Sequence, residues 1–174
     1  MKRVFRIIED SIRQFTVEGW NAQAYQLPRE ALIGASTLIG DEQAIYFLFC
    51  RDEHQTEGVY IGLTDHVITR LLKHCESETD GSEGFFWHSA LIVCLNESPQ
   101  DAQYLCRRLI HLLEKEGHCV NLAGQPYAPP RLTRPQRTLL DSRVEGIRQL
   151  LREIHQPCLE PIRHGRVLYL RRRR

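Results

Sequence analysis

Residues 43–50 (Gln-Ala-Ile-Tyr-Phe-Leu-Phe-Cys) form an almost unbroken apolar and aromatic run, which predicts a buried strand. Residues 51–57 are polar and read as a turn, and residues 58–63 as the return strand. A register centred on Glu53 sets Tyr46 opposite Tyr60, with both phenols on one face because side chains alternate along strands. Upstream, residues 12–17 and 22–27 predict strands, and residues 3–8 are open between strand and helix. Gly19 and Asn21 punctuate this lead-in, and Pro28 opens a short helix at Arg29, Glu30 and Ala31.

Beyond the hairpin the pattern becomes helical. Thr64 or Asp65 caps a helix whose buried stripe is Val67, Ile68, Leu71 and Leu72. His66, Arg70, Lys73 and His74 fall on another face, with Arg70 and His74 as i, i+4 neighbours. A Gly-, Ser- and acid-rich loop over residues 76–84 precedes a third strand over 86–95. Ser98-Pro99-Gln100-Asp101 is a helix start, followed by an apolar face of Ala102, Leu105, Cys106, Leu109, Leu112 and Leu113, with Gly117 as the stop. Residues 126–130 read as a linker. Residues 133–155 read as a last amphipathic helix, with Leu140, Val144, Ile147, Leu151 and Ile154 on its stripe and Pro157 beyond its end.

Composition changes this picture little. At 174 residues, 42% hydrophobic and 26% charged, the chain suits one soluble domain with a core of its own. No run approaches the ~18 apolar residues of a membrane span. The start, Met1 to Arg6, lacks a signal peptide's apolar stretch, so a cytoplasmic location is expected. The net charge of +1 hides an asymmetry. Residues 163–174 hold six arginines and no acid, which leaves 17 basic against 22 acidic residues over 1–162. Such a tail, Arg171, Arg172, Arg173 and Arg174 above all, suits phosphate contacts with nucleic acid; the plain alternative is a solvated terminus.

Six scattered cysteines with no Cys-x-x-Cys pair read as small buried hydrophobes. The dipeptides His74-Cys75 and His118-Cys119 raise zinc as an alternative, on a spacing that matches no finger pattern. The sharper chemistry lies in Tyr46, Tyr60, Arg70 and His74. Two phenols, a guanidinium and an imidazole suit a phosphodiester, which is anionic and needs positive charge beside it. The plain alternative is a pair of half-buried strand tyrosines.

The order of motifs, Ala44-Ile45-Tyr46, Tyr60-Ile61-Gly62, Arg70-Leu71-Leu72-Lys73-His74, Phe86-Trp87 and then Asn121 after the next helix, resembles the GIY-YIG nuclease superfamily over about residues 41–125. Gly19-Trp20-Asn21, Leu27-Pro28-Arg29 and the late helix look like a bacterial branch with extensions on both sides. The resemblance implies an α/β fold with a small antiparallel sheet flanked by helices. It divides the chain into a β-rich extension (1–40), a GIY-YIG-like core (41–130), a C-terminal helix (131–162) and a basic tail (163–174). It also implies metal-dependent endonuclease chemistry on nucleic acid, chiefly DNA, with Mg2+ or Mn2+. Tyr46 and Tyr60 would be the tyrosines, Arg70 the phosphate clamp, His74 a base or orienting partner, and Lys73 and the arginine tail further nucleic-acid contacts.

The chain departs from that pattern twice. Ala44 replaces the first glycine, a change of one methyl group. Cys106 replaces the glutamate that holds the metal, and a soft thiol is a poor ligand for a hard cation. On the same predicted helix Glu114 lies about 12 Å further along, Asp101 is off that face and Gln103 is uncharged, which leaves Glu97 and the acids of 76–83, outside the helix, as the candidates to replace the glutamate. The expectation is therefore a GIY-YIG-like protein with impaired or lost cleavage. The alternatives are an inert nucleic-acid-binding or protein-interaction module, with the late helix as a partner or dimer surface, and a soft-metal protein.

Overall fold

The computed structural model describes the backbone of residues 3–9, 11–17, 20, 22–51, 57–77, 86–116, 120–121 and 128–160; side chains are described for 11–16, 20, 22–51, 57–76, 86–116 and 128–160. Its strands are β1 (Arg3–Glu9), β2 (Ile12–Val17), β3 (Gln23–Pro28), β4 (Ala44–Arg51), β5 (Glu57–Thr64), β6 (Trp87–Cys94) and β7 (Val120–Asn121). A 3-10 turn at Arg29–Ala31 runs into the short α1 (Leu32–Ala35). The longer helices are α2 (Val67–Ser77), α3 (Pro99–Glu116) and α4 (Arg134–Glu153).

The strands make one sheet in the order β1-β2-β3-β6-β4-β5-β7. Every pairing is antiparallel except β5 with β7. The sheet is therefore larger than a hairpin plus one strand. β3 pairs with β6 from Ala24↔Val93 to Pro28↔Ser89, which makes the N-terminal strands continuous with the central ones. β4 pairs on both edges and is buried from Ala44 to Cys50, which is why its sequence is apolar without alternation.

Alternation along the strands sorts the core into two halves. Tyr46, Leu48, Trp87, Ala90 and Ile92 pack with Leu32 and Ala35 of α1 and Val67, Ile68 and Leu71 of α2. Ile45, Phe47, Phe49, Val59, Ile61 and Val93 pack on the other face with α3 and α4. The expected stripe of α4 is buried there, from Leu140 to Ile154.

Two helix starts follow local rules. Ser98 Oγ accepts from the Asp101 backbone N–H at 3.2 Å. Thr133 and Gln136 form a reciprocal capping box at the head of α4. The start of α2 does not follow the expected rule. Thr64 Oγ1 accepts from His66 in the turn before the helix, and the cap comes from elsewhere. Asp41 Oδ1 accepts from the backbone N–H groups of Ile68 (2.8 Å) and Thr69 (3.1 Å), and Thr69 Oγ1 donates to Oδ2 at 2.7 Å.

The hydrogen bonds from Thr69, outweighing a small cost of burial, hold the Asp41 carboxyl below its ordinary value. Asp41→Ala is expected to cost about 1 kcal/mol in urea unfolding at neutral pH. Because the folded pKa is depressed, this contribution is present above pH ~4 and is lost as pH falls through the folded value. The variant and the wild type should converge in acid.

Candidate functional site: two tyrosines, Arg70 and His74

The hairpin register differs from the expected one by two residues: Tyr46 pairs with Gly62, and Tyr60 pairs with Leu48. A shift of two keeps every side chain on its expected face, so both phenols still share one side of the sheet. They sit diagonally and stack, with ring centroids 5.9 Å apart. Gly62 is what permits this. A Cβ there would run into Cζ, Oη and Cε1 of Tyr46, whose ring lies across the glycine.

α2 brings the other two groups to the phenols. His74 lies edge-on to both rings, 5.7 Å from Tyr46 and 5.0 Å from Tyr60 between centroids. Its Nε2 lies 3.0 Å from the Tyr46 hydroxyl. Arg70 Nε donates to the same Tyr46 oxygen at 3.4 Å, and its guanidinium also engages Tyr60. Arginine can only donate, so Tyr46 accepts from Arg70. The direction of the Tyr46–His74 bond follows the imidazole tautomer.

Burial divides the four residues. Tyr46 and His74 are 1% and 2% exposed, whereas Tyr60 and Arg70 are half-buried. The sequence places His74 on a polar helix face; in the structure it is sealed, because its partner is a buried hydroxyl. Burial is the largest influence on Tyr46 and pushes its pKa well above 10; Tyr60 adds to this, and Arg70 opposes it only in part. Tyr46 is thus solvent-sealed and protonated, with its hydroxyl in contact with both Arg70 and His74. For Arg70, burial works against the charge, but hydrogen bonds to the oxygens of Tyr46 and Tyr60 outweigh it, so the guanidinium stays charged.

A raised Tyr46 pKa makes the folded state retain a proton that the unfolded chain loses. That stability is complete below pH ~10 and is lost as pH rises above it. Tyr25 and Tyr104, also raised chiefly by burial, act in the same direction. Tyr46→Phe should therefore flatten, without abolishing, the alkaline fall in stability, read as melting temperature between pH 8 and 11 beside tyrosinate absorbance.

Cys106 is not part of this group. It is 1% exposed and belongs to the packing of α3 against the opposite sheet face, with Ile45, Phe47 and Phe49. Burial alone pushes its thiol up to about 12, so it is neutral. Asp101 and Glu114 belong to that same helix. Glu97 is ion-paired with Arg143 of α4. Of the acids of 76–83, Glu76 is exposed in the last turn of α2, and Glu78, Asp80 and Glu83 lie outside the described residues.

Among the described residues no three His, Cys, Asp or Glu side chains cluster as metal ligands. The two phenols, Arg70 and His74 offer no carboxylate, so this donor set does not fit Mg2+ or Mn2+. The zinc alternative at His74-Cys75 lacks a third ligand among the described residues, and His118-Cys119 falls outside them. Lys73 is exposed on α2, while Arg171 to Arg174 lie outside the described residues. No helix among the described residues is long and apolar enough to cross a membrane.

Comparisons with known protein families, with curated proteins and with solved structures return no match.

Proposed function

We propose that this chain is a GIY-YIG nuclease-like protein that binds nucleic acid through its phosphates and in which phosphodiester cleavage is impaired or lost. The observation that carries the reading is Arg70, hydrogen-bonded to both phenols and partly exposed beside Tyr60. A phosphate oxygen accepting from a charged, partly exposed guanidinium gains a charge-assisted bond. Tyr60 offers a neighbouring hydroxyl. Tyr46 and His74, fixed from behind, hold the pair in place, which reduces the ordering cost of binding. Lys73 and the arginine tail add sequence-independent attraction.

Against a cleaving role stand the place of Cys106 on the opposite sheet face from the phenols and the lack, among the described residues, of any group of three metal-ligating side chains. Incubation with plasmid and branched DNA, with Mg2+ or Mn2+, is expected to give retention of DNA without strand breaks. Robust cleavage abolished by Tyr60→Phe would contradict the reading.

A protein-interaction role is favoured by one feature of α4. Leu139 is 54% exposed in a shallow groove of about 600 Å3 with Arg134, Pro135, Thr138 and Ser142. A concentration-dependent dimer by light scattering, dissociated by Leu139→Glu, would support this second role.

A further inference from the structure

Phe86 stands directly before β6 and is 61% exposed. The guanidinium carbon of Arg29 lies 4.5 Å from the Phe86 ring centroid and 5.3 Å from that of Trp87. Arg29 Nη1 also donates to the Trp87 carbonyl at 3.5 Å. Trp87 is fully buried, so Arg29 is anchored on a core residue, and Phe86 is held against Arg29. With the guanidinium over one ring face, Phe86 still leaves 61% of its surface exposed.

A flat aromatic surface, fixed in advance and backed by a cation, matches the π-face of a nucleobase. Among the described residues, the exposed apolar side chains at this spot are too few for a protein partner. Phe86 and Ile33, four residues beyond Arg29 and 78% exposed, fall far short of the roughly 800 Å2 per partner of a stable interface. Its location fits the same ligand. Trp87 pairs with Cys50, two residues beyond Leu48, which pairs with Tyr60. Phe86 stands one residue further along, so two strand spacings and three residues separate it from Tyr60, roughly 14 Å along the sheet. At ~3.4 Å per nucleotide of a stacked strand, about four nucleotides cover that distance.

We infer that Phe86, backed by Arg29, is a stacking platform for an unpaired base of the strand whose phosphate sits at Tyr60 and Arg70. Unpaired or locally opened strands are then the preferred ligand class over continuous duplex. This inference rests on the phosphate-binding reading above, and the two can fail separately.

The test uses the full chain and three labelled ligands: a single-stranded oligonucleotide, the same strand with abasic positions, and the duplex. Phe86→Ala is expected to weaken binding of the intact single strand about fivefold or more, and to leave abasic and duplex binding nearly unchanged. Phe86→Trp should restore the loss. Phe86→Leu, which keeps apolar volume but has no ring, should not, and it replaces Phe86→Ala if that variant melts early. Equal losses on all three ligands, or none on any, overturn the platform. If Arg70→Met weakens all three while Phe86→Ala changes nothing, the clamp stands and the platform falls. If Arg70→Met has no effect and Phe86→Ala is selective, the platform stands and the clamp falls. A wild-type protein that binds no nucleic acid at low salt overturns both.

Discussion

Gly62→Ala is expected to destabilise the protein by about 2–4 kcal/mol, although it adds a single methyl group to a strand. The methyl meets the far end of the Tyr46 ring, and that ring has nowhere to go. It is 1% exposed, stacked on Tyr60, and bonded through its hydroxyl to His74 and Arg70. Either the strand pair opens or the phenol leaves its place, and in the second case Arg70 and His74 lose their shared partner. Urea unfolding of Gly62→Ala, Tyr46→Ala and the double variant separates these causes. Tyr46→Ala should itself cost several kcal/mol as a cavity. The alanine at 62 should then add little, giving a coupling of about 2 kcal/mol or more. A loss below about 0.5 kcal/mol for Gly62→Ala would show that the ring does not depend on the glycine.

Cys106→Glu would place the acid expected from the family resemblance, and in this structure it is expected to cost stability without creating cleavage. The new carboxyl enters an apolar cluster in which the thiol is already pushed up to about 12 by burial. A buried carboxyl raises its pKa and remains protonated rather than bear the full cost of desolvation. From an ordinary value of ~4.3, the ionisation part of the cost at pH 7 is therefore capped near 4 kcal/mol, with overpacking adding about 1–3. The sign follows from the raised folded pKa. The ionisation cost is absent below pH ~4.3 and grows with pH until the folded pKa is reached. Unfolding free energies of variant and wild type should diverge between pH 5 and pH 8. A pH-independent difference, joined by new metal-dependent cleavage, would mean that the side chain escapes the core towards the tyrosines.

Which parts of this arrangement the sequence discloses depends on whether their causes are local. The Ser98 and Thr133 starts are legible because cap and helix are adjacent in the chain. The burial of β4 is legible because a strand paired on both edges and covered on both faces must be apolar throughout. The shared face of Tyr46 and Tyr60 is legible because it depends only on parity. The exact register is not, since residues 51–57 carry no turn signal that fixes the loop length. Asp41 as the cap of α2 is likewise hidden: it reaches a helix 27 residues away through the fold. So is the joining of β3 to β6, a pairing across more than 60 residues of sequence. His74 reads as a surface residue until the Tyr46 hydroxyl is known to be its partner. Cys106 reads as a core residue from its stripe, but which sheet face that core lies on depends on how α3 crosses.

The central claim is that Arg70, held between two phenols, grips a phosphate. The most direct measurement is the affinity of the wild type and of Arg70→Met for a labelled oligonucleotide across a salt series, with melting curves to show that both are folded. The account predicts steeply salt-dependent wild-type binding, weakened about tenfold or more by Arg70→Met, with the salt slope reduced by about one unit. Superimposable curves for the two proteins, or no binding by the wild type at low salt, would contradict it.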